Sequence, residues 1–220
     1  MEGRQLASKW LKTEALLGNP QVADHIPATR VYNTSNLHQM VNQYGFVVIK
    51  PIVGGGGTGV IKVTMEGSNY AYTYMSKTRS FTGFDALVHS LSTVKKKRRY
   101  IIQRGIRLAS ISGRPIDYRV KLVKTRGRWV CRGVVGRLAR HGLFVTNLCR
   151  GGTQLSGSEG LRRSLSGKMV RLKKRQMLHI SRRCTRILEA KYPGISQLGY
   201  DYGIDKSGHI WIFEVNTRPQ

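Results

Sequence analysis

The sequence predicts an α+β protein built from two lobes, and three observations carry that prediction. Segments with strand period alternate with segments of helical period along the whole chain. The 220 residues suffice for one good core or for two small lobes. The texture also changes near residue 100, from mixed helix and strand to a run of strands. Residues 1–100 are therefore expected to form one lobe and residues 101–220 the other, with a ligand in the cleft between them.

Taken in order, SKWLKTEALL reads as a short helix with Leu6, Trp10, Leu11, Leu16 and Leu17 as its apolar stripe. IPATRVY is a loop and short strand, and NLHQMVNQYG a helix ended by Gly45. FVVIKPIV is a strand, GGGGTG a turn, and VIKVTMEG and NYAYTYMS further strands. FDALVHSLSTV is a helix leading into the basic run KKKRR. Strands follow in YIIQRGI, RVKLVKT and RWVCRGVVGRLA, then a glycine-rich polar stretch. A long basic amphipathic helix is expected over residues 161–191, and a strand hairpin ends the sequence.

Hydrophobic residues make up 40% and charged residues 22% of the chain, the balance of a folded protein. The charge is unusual: 38 Lys and Arg stand against 11 Asp and Glu, a formal net charge of +27. Such an excess favours a polyanionic partner without specifying a fold. Cys131, Cys149 and Cys184 form no CxxC pair, which fits a reducing compartment and offers no zinc site. With neither a leader-like apolar run nor a membrane-span-length stretch, a cytoplasmic protein is expected.

The segment VVIKPIVGGGGTGVIKV is the first that points to chemistry. Four consecutive glycines plus Gly59 let several backbone amides converge on one anion. Gly54, Gly56 and Gly59 match G-x-G-x-x-G, but a dinucleotide fingerprint needs a helix next, and β-branched VIKV predicts a strand instead. No GK[ST] follows, and kinase HRD and DFG motifs are absent. A flexible hairpin tip is the plain alternative. Lys50, just before the loop, is either a strand-edge lysine or a phosphate ligand.

The terminal hairpin LGYDYGIDKSGHIWIFEVNTRP is the most informative segment. A turn over residues 205–208 sets Ile204 opposite His209 and Asp201 opposite Ile212. Alternation then projects Asp201, Glu214 and Asn216 to one side and Trp211, Phe213 and Val215 to the core. Three oxygen donors on one face suit a hard cation such as Mg²⁺ held with substrate phosphates.

The lysine and glycine loop, YIIQRGI, the D-x-R of DYRVKLV and the terminal E-V-N-T-R-P resemble, in order, the ATP-grasp superfamily. HIPATRVY, IIQRGIRL, GRPIDYRV and EVNTRPQ resemble most the YheC/YheD family of endospore-coat-associated proteins. VGRLA and NLCRGG are also similar to ribosomal-protein glutamate ligases and glutathione synthetases. The resemblance covers essentially the whole chain. It implies an ATP-grasp fold and an ATP-dependent carboxylate–amine ligase, forming a C–N bond through an acyl phosphate.

By this resemblance, Lys9 and Lys50 reach the ATP phosphates, covered by the amides of Gly54, Gly55, Gly56, Gly57, Thr58 and Gly59. Gln103 and the backbone of Arg104, Gly105 and Ile106 hold adenine. Asp201, Glu214 and Asn216 match magnesium ligands. Arg137 faces the transferred phosphoryl group, and Arg119 with Asn147, Arg150, Gly151 and Gly152 shapes the carboxylate side. Such chemistry joins two anions, so cations must neutralise charge in a dry site. Arg107 stands near where relatives often carry an acid for the ribose. The N-terminal substrate domain common in such ligases is not recognisable, so substrate recognition is expected from insertions, a partner or the basic surface.

The cations of the predicted long helix, among them Lys173, Lys174, Arg175, Arg182 and Arg183, form either a solvated outer face or a dock for an acidic small molecule, peptide or polymer. Aromatics do not interleave with them, which disfavours base stacking. Two other functions remain open: a nucleotide-binding coat component without turnover, and a polyanion- or nucleic-acid-binding protein.

Overall fold

The computed structural model describes residues 3–219. Helices α1 (Lys9–Leu17) and α2 (Pro20–Ala23) precede strand β1 (Thr29–Val31), helix α3 (Thr34–Tyr44), β2 (Phe46–Pro51), β3 (Ile61–Glu66), β4 (Asn69–Tyr74) and β5 (Lys77–Thr82). Next come α4 (Phe84–Val94), β6 (Tyr100–Arg104), β7 (Ser110–Ile111), β8 (Arg114–Thr125), β9 (Arg128–Leu138) and β10 (Thr153–Ser156). The chain closes with α5 (Gly157–Ser164), α6 (Val170–Lys191), β11 (Gln197–Ile204) and β12 (Ile210–Asn216).

Two compact units result, and they differ from a single cut near residue 100. One unit is Pro27–Ile106; the other joins the chain up to Ile26 with Arg107 onward. The N-terminal segment goes with the second unit because its apolar side chains belong there. Ala15, Leu16 and Val22 pack in one buried cluster with Leu188, Leu198 and Ile212. Leu6 N donates to Thr217 Oγ1 at 2.8 Å, and Arg4 N to Gly194 O at 2.7 Å.

In the Pro27–Ile106 unit, six antiparallel strands run in the order β1-β6-β2-β3-β4-β5. Val47, Ile49, Ile61, Val63, Tyr72 and Ile102 bury one face against Leu37, Met40 and Val41 of α3 and Leu87 and Leu91 of α4. The opposite face carries Thr29, Val48, Lys50, Lys62 and Gln103. This follows from the register, in which Val48 lies opposite both Lys62 and Gln103, and Thr29 opposite Gln103.

The other unit holds a second antiparallel sheet, ordered β10-β9-β8-β11-β12, with β7 added to β8. Ile116, Tyr118, Val120, Leu122, Leu198, Tyr200 and Tyr202 line the face covered by helices. Buried phenols on that face are satisfied: Tyr200 pairs with Thr185 Oγ1 and Tyr202 with Ser181 Oγ, both at 2.7 Å.

The expected single helix over 161–191 is two helices. Ser166 is extended, at φ −167°, and Gly167 opens a short 3₁₀ turn, so the helix stops and restarts at Val170. On α6, Met177, Ile180, Ser181, Cys184, Thr185 and Leu188 are buried in a helical stripe that begins at Lys173. Lys173 is not part of a solvated cationic face. It is buried, and its ammonium donates to Gly208 O at 2.6 Å and Gln176 Oε1 at 3.0 Å.

If residues up to Ile26 are integral to the second unit, Leu16→Ala should cost about 2–5 kcal/mol there. Native-state hydrogen exchange should show faster exchange in α6 and β11 with β2 and β3 unchanged. Acceleration confined to β2 and β3 would contradict this division.

Candidate active site

The face of the second sheet opposite its helices is charged. On β8, Asp117 and Arg119 are two residues apart and so share that face. Register places Arg119 opposite Asp201 of β11, and Asp117 opposite Arg137 of β9. Arg119 grips Asp201 through Nε to Oδ1 at 2.5 Å and Nη2 to Oδ2 at 2.9 Å. Arg137 grips Asp117 through Nε at 2.8 Å and Nη2 at 2.5 Å, and its Nη2 also lies 3.1 Å from Asp201 Oδ2. Asp117, Arg137 and Asp201 are buried. This chain of four charges is held by two bidentate pairs, the geometry in which guanidinium and carboxylate match best.

Glu214 joins the same face from β12. The sequence expectation paired Asp201 with Ile212, but the structure pairs Asp201 with Glu214 and Gly199 with Asn216. Two irregularities produce this. The hairpin turn is one residue longer, because Ile204 pairs with Ile210 while Asp205 Oδ1 accepts from the amides of Ser207 and His209, each at 2.9 Å. A β-bulge between Asp201 and Tyr202 then adds a second one-residue shift. The two shifts restore the parity at Asp201, so Asp201, Glu214 and Asn216 do share a face. Between the shifts parity is reversed. Ile210 and Ile212, rather than Trp211 and Phe213, enter the core with Val215. Trp211 lies opposite Gly203, and a Cβ on Gly203 would fall 2.3 Å from the Phe213 ring. The missing side chain at Gly203 is what lets Phe213 lie on the charged face.

Lys9, at the start of α1, reaches the face from the N-terminal segment, with Nζ 3.3 Å from Glu214 Oε1. Its helix begins there because the Ser8 hydroxyl accepts from Leu11 N. Lys12 is also buried, donating to Leu6 O at 2.5 Å, and desolvation pulls its pKa down to about 8 despite the nearby Glu214 carboxylate.

Arg150, Gly151 and Gly152 follow Asn147 in the loop between β9 and β10. Gly151 turns through φ +81°, and Gly152 sits where a Cβ would meet Thr146 O at 2.9 Å and Leu138 O at 3.0 Å. Gln154 pairs with Arg137, so the loop rejoins the sheet beside that arginine. Thr146, in the same loop, hydrogen-bonds Asp117.

In the Pro27–Ile106 unit, Lys50 Nζ donates to Gln103 Oε1 at 2.6 Å, and Gln103 Nε2 to Thr29 Oγ1 at 3.0 Å. The turn after β2 is a loop between strands and not a helix start. Gly54, Gly56, Gly57 and Gly59 all take positive φ there, with Thr58 N bonded to Gly55 O at 3.2 Å. Arg98 Nη2 approaches Thr58 O at 3.5 Å. Arg104 N donates to Ala28 O at 2.8 Å and Gly105 N to Phe46 O at 3.0 Å, so in the segment whose backbone is expected beside adenine these two amides are engaged within their own sheet. Ile106 ends that unit.

The D-x-R motif of β8 pointed to Asp117 without giving it a role, and Thr29 was not singled out at all. Asp117 stands two positions before Arg119, a spacing that puts both on one strand face, so its signal was present. Nothing in the sequence marks Thr29 as the partner of Gln103.

A model of the YheC/D-like ATP-grasp family matches residues 2–220. The chain belongs to that family. It is 26% identical to the endospore coat-associated protein YheD of Bacillus subtilis (strain 168) over 220 residues, 96% of this chain and 48% of that one. It is likewise 26% identical to YheC of the same organism, over 99% of this chain and 61% of the relative. This ATP-grasp chain thus spans about half the length of the first of these relatives. Among solved structures it resembles N5-carboxyaminoimidazole synthase from Aspergillus clavatus, with TM-score 0.61 and 12% identity over 99% of this chain and 46% of that one. It also resembles D-alanyl-alanine synthetase A from Vibrio cholerae, with TM-score 0.56 and 11% identity over 97% and 55% of the two chains. These likenesses establish an ATP-grasp fold.

Burial alone would raise the Asp201 carboxyl; the Arg137 and Arg119 guanidiniums overcome it and hold its pKa below the ordinary value. Burial pushes Asp117 up, against the pull of Arg137. A depressed carboxyl stabilises the fold above its unfolded pKa, and that stability is lost as pH falls through the folded value. Denaturation at a series of pH values should therefore show stability falling below about pH 4. Asp201→Asn should flatten that acid limb, whereas an unchanged limb would contradict the ion-pair assignment.

Proposed function

We propose that this chain binds Mg–ATP and uses it to join a carboxylate to an amine, with an acidic or peptide substrate. The observation that carries the reading is the placement of Asp201, Glu214 and Asn216 on one sheet face that also bears Arg119 and Arg137. Family membership supports the nucleotide.

The donor set fits magnesium: two carboxylates and an amide oxygen are hard ligands on adjacent strands. Among the described residues no group of three or more His, Cys, Asp and Glu is placed to hold a metal, so the fit rests on a set that includes Asn216 and phosphate oxygens. When bound, Mg²⁺ would neutralise charge on the transferring phosphoryl group. Both oxygens of Asp201 are now engaged by guanidiniums. Nucleotide binding is therefore an exchange of partners, in which Arg119 and Arg137 yield Asp201 in part and gain phosphate oxygens. Arginine suits that exchange because its fork matches carboxylate and phosphate alike. Lys9 would move in the same sense from Glu214.

Lys50, steadied by Gln103, and the amides of the loop at residues 54–59 would hold the phosphates. With the amides of Arg104 and Gly105 engaged, adenine would be met by the carbonyls of that segment and by Ile106. A carboxylate oxygen would attack the γ-phosphorus, releasing ADP and leaving an acyl phosphate. The amine would then displace phosphate and lose a proton. Arg137 would stabilise the charge that develops in both steps, and the loop of Asn147, Arg150, Gly151 and Gly152 would border the carboxylate.

A second reading, a nucleotide-binding coat component without turnover, is favoured by the likeness to endospore coat-associated proteins of Bacillus and by the occupied state of Asp201. One experiment separates them. ADP release is screened over amino acids and acidic peptides, with mass spectrometry for a product lighter by one water than its parts, and Glu214→Gln as control. Turnover is expected, and Glu214→Gln should weaken Mg–ATP binding about tenfold or more, a loss of ~1.4 kcal/mol. Mg–ATP binding without turnover selects the second reading. Unchanged Mg–ATP affinity in folded Glu214→Gln contradicts the metal assignment itself.

A further inference from the structure

Of the six histidines in the sequence, three line a single cavity of about 670 Å³. His25 follows α2, His179 lies on α6, and His209 ends the turn before β12. Lys173, Arg175 and Gln176 of α6 also line it. Its volume is that of a small-molecule site. No aspartate or glutamate lines it among the described residues. It belongs to the helix-covered side of the second sheet, since its wall includes Ile180 and Ile210 of the helix-side core, whereas Asp201 and Glu214 lie on the opposite face. The inference is independent of the nucleotide reading.

The histidine tautomers follow from their partners. His25 Nδ1 is 2.9 Å from Ile210 O, and His209 Nε2 is 3.1 Å from Asp24 O. A carbonyl only accepts, so those nitrogens carry the protons, and in each neutral ring the other nitrogen is an acceptor. Taking up a proton converts each ring into a donor at both ends. The two ring centroids are 5.2 Å apart, so two imidazolium charges there repel unless an anion compensates them. We propose that this cavity binds a small polyvalent oxyanion, bearing phosphate or carboxylate groups, together with protons on His25 and His209.

The surrounding charges set the sign. From α6 come Lys173, whose ammonium already serves Gly208 O and Gln176 Oε1, and Arg175 with His179. Beside His25 stands Asp24. From the turn come Lys206 and Asp205, and the Asp205 carboxylate is engaged by Ser207, His209 N and Trp211 Nε1. Burial, ahead of its neighbours, lowers the pKa of His25, which keeps the ring neutral at neutral pH without an anion. An anion raises it, so affinity increases as pH falls through the ordinary histidine range near 6.5.

The test is NMR of the histidine ring C–H groups, titrated with sodium pyrophosphate and separately with citrate at pH 6 and pH 8. His38, His89 and His141, outside the cavity, are internal controls. Saturable shifts at His25, His179 and His209 are expected, about tenfold tighter at the lower pH. The tighter anion identifies the headgroup as phosphate or carboxylate. Arg175→Gln, at an exposed position, should weaken binding about tenfold. Equal, unsaturable drift at all the histidines, no shift at the three, or unchanged affinity in Arg175→Gln would overturn the proposal.

Discussion

The carboxylate of Asp201 lies within the reach of two arginines, and much of the second unit is arranged around that fact. A buried carboxylate without a counter-charge costs several kcal/mol, and so does a buried guanidinium. Arg119 and Asp117 therefore bracket the exchange from β8, Arg137 completes it from β9, and Asp201 supplies it from β11. Direct opposition in the ladders makes these pairs sensitive to register. A slip of one residue in β8 would turn Asp117 and Arg119 into the layer now filled by Tyr118 and Val120, and bring those side chains out. Charge pairing and core burial thus select the same alignment of the three central strands.

The two faces of that sheet divide the work. One face is covered by α1, α5 and α6 and sealed by buried tyrosines whose hydroxyls reach Ser181 and Thr185. The other pairs Arg119, Arg137 and Lys9 with Asp117, Asp201 and Glu214, three charges of each sign, and also bears Lys121 beside Arg119. This pairing keeps the face stable when nothing is bound. It also means that a cation can replace an arginine or lysine at the carboxylates while the displaced side chains meet an anion. Under the proposed function, that exchange would suit the face to a metal–phosphate ligand more than to a bare metal or a bare phosphate.

The fold class was legible because alternation and glycine punctuation identify strands and turns, and because motif order resembles ATP-grasp. The shared face of Asp201, Glu214 and Asn216 was also legible, since side-chain parity survives two one-residue shifts. Trp211 and Phe213 were not, because they lie between those shifts and a bulge leaves no signature in single-residue propensity. The place of the first 26 residues was hidden for a similar reason. Leu16 and Val22 are apolar wherever they pack, and only tertiary contact joins them to strands more than a hundred residues later. Lys173 shows the limit of charge patterning: among neighbouring cations on α6, it is buried on the Gly208 carbonyl.

Under the proposed function, the charged face around Asp201 takes the metal–nucleotide. Paramagnetic broadening by Mn²⁺–ATP in place of the magnesium complex tests this most directly, through backbone amide NMR of the intact chain. The strongest broadening is expected at Gly199, Asp201, Glu214 and Asn216, and little at Cys184 and Leu188 on the helix side. Saturable Mn²⁺–ATP binding that leaves those four amides sharp would contradict it.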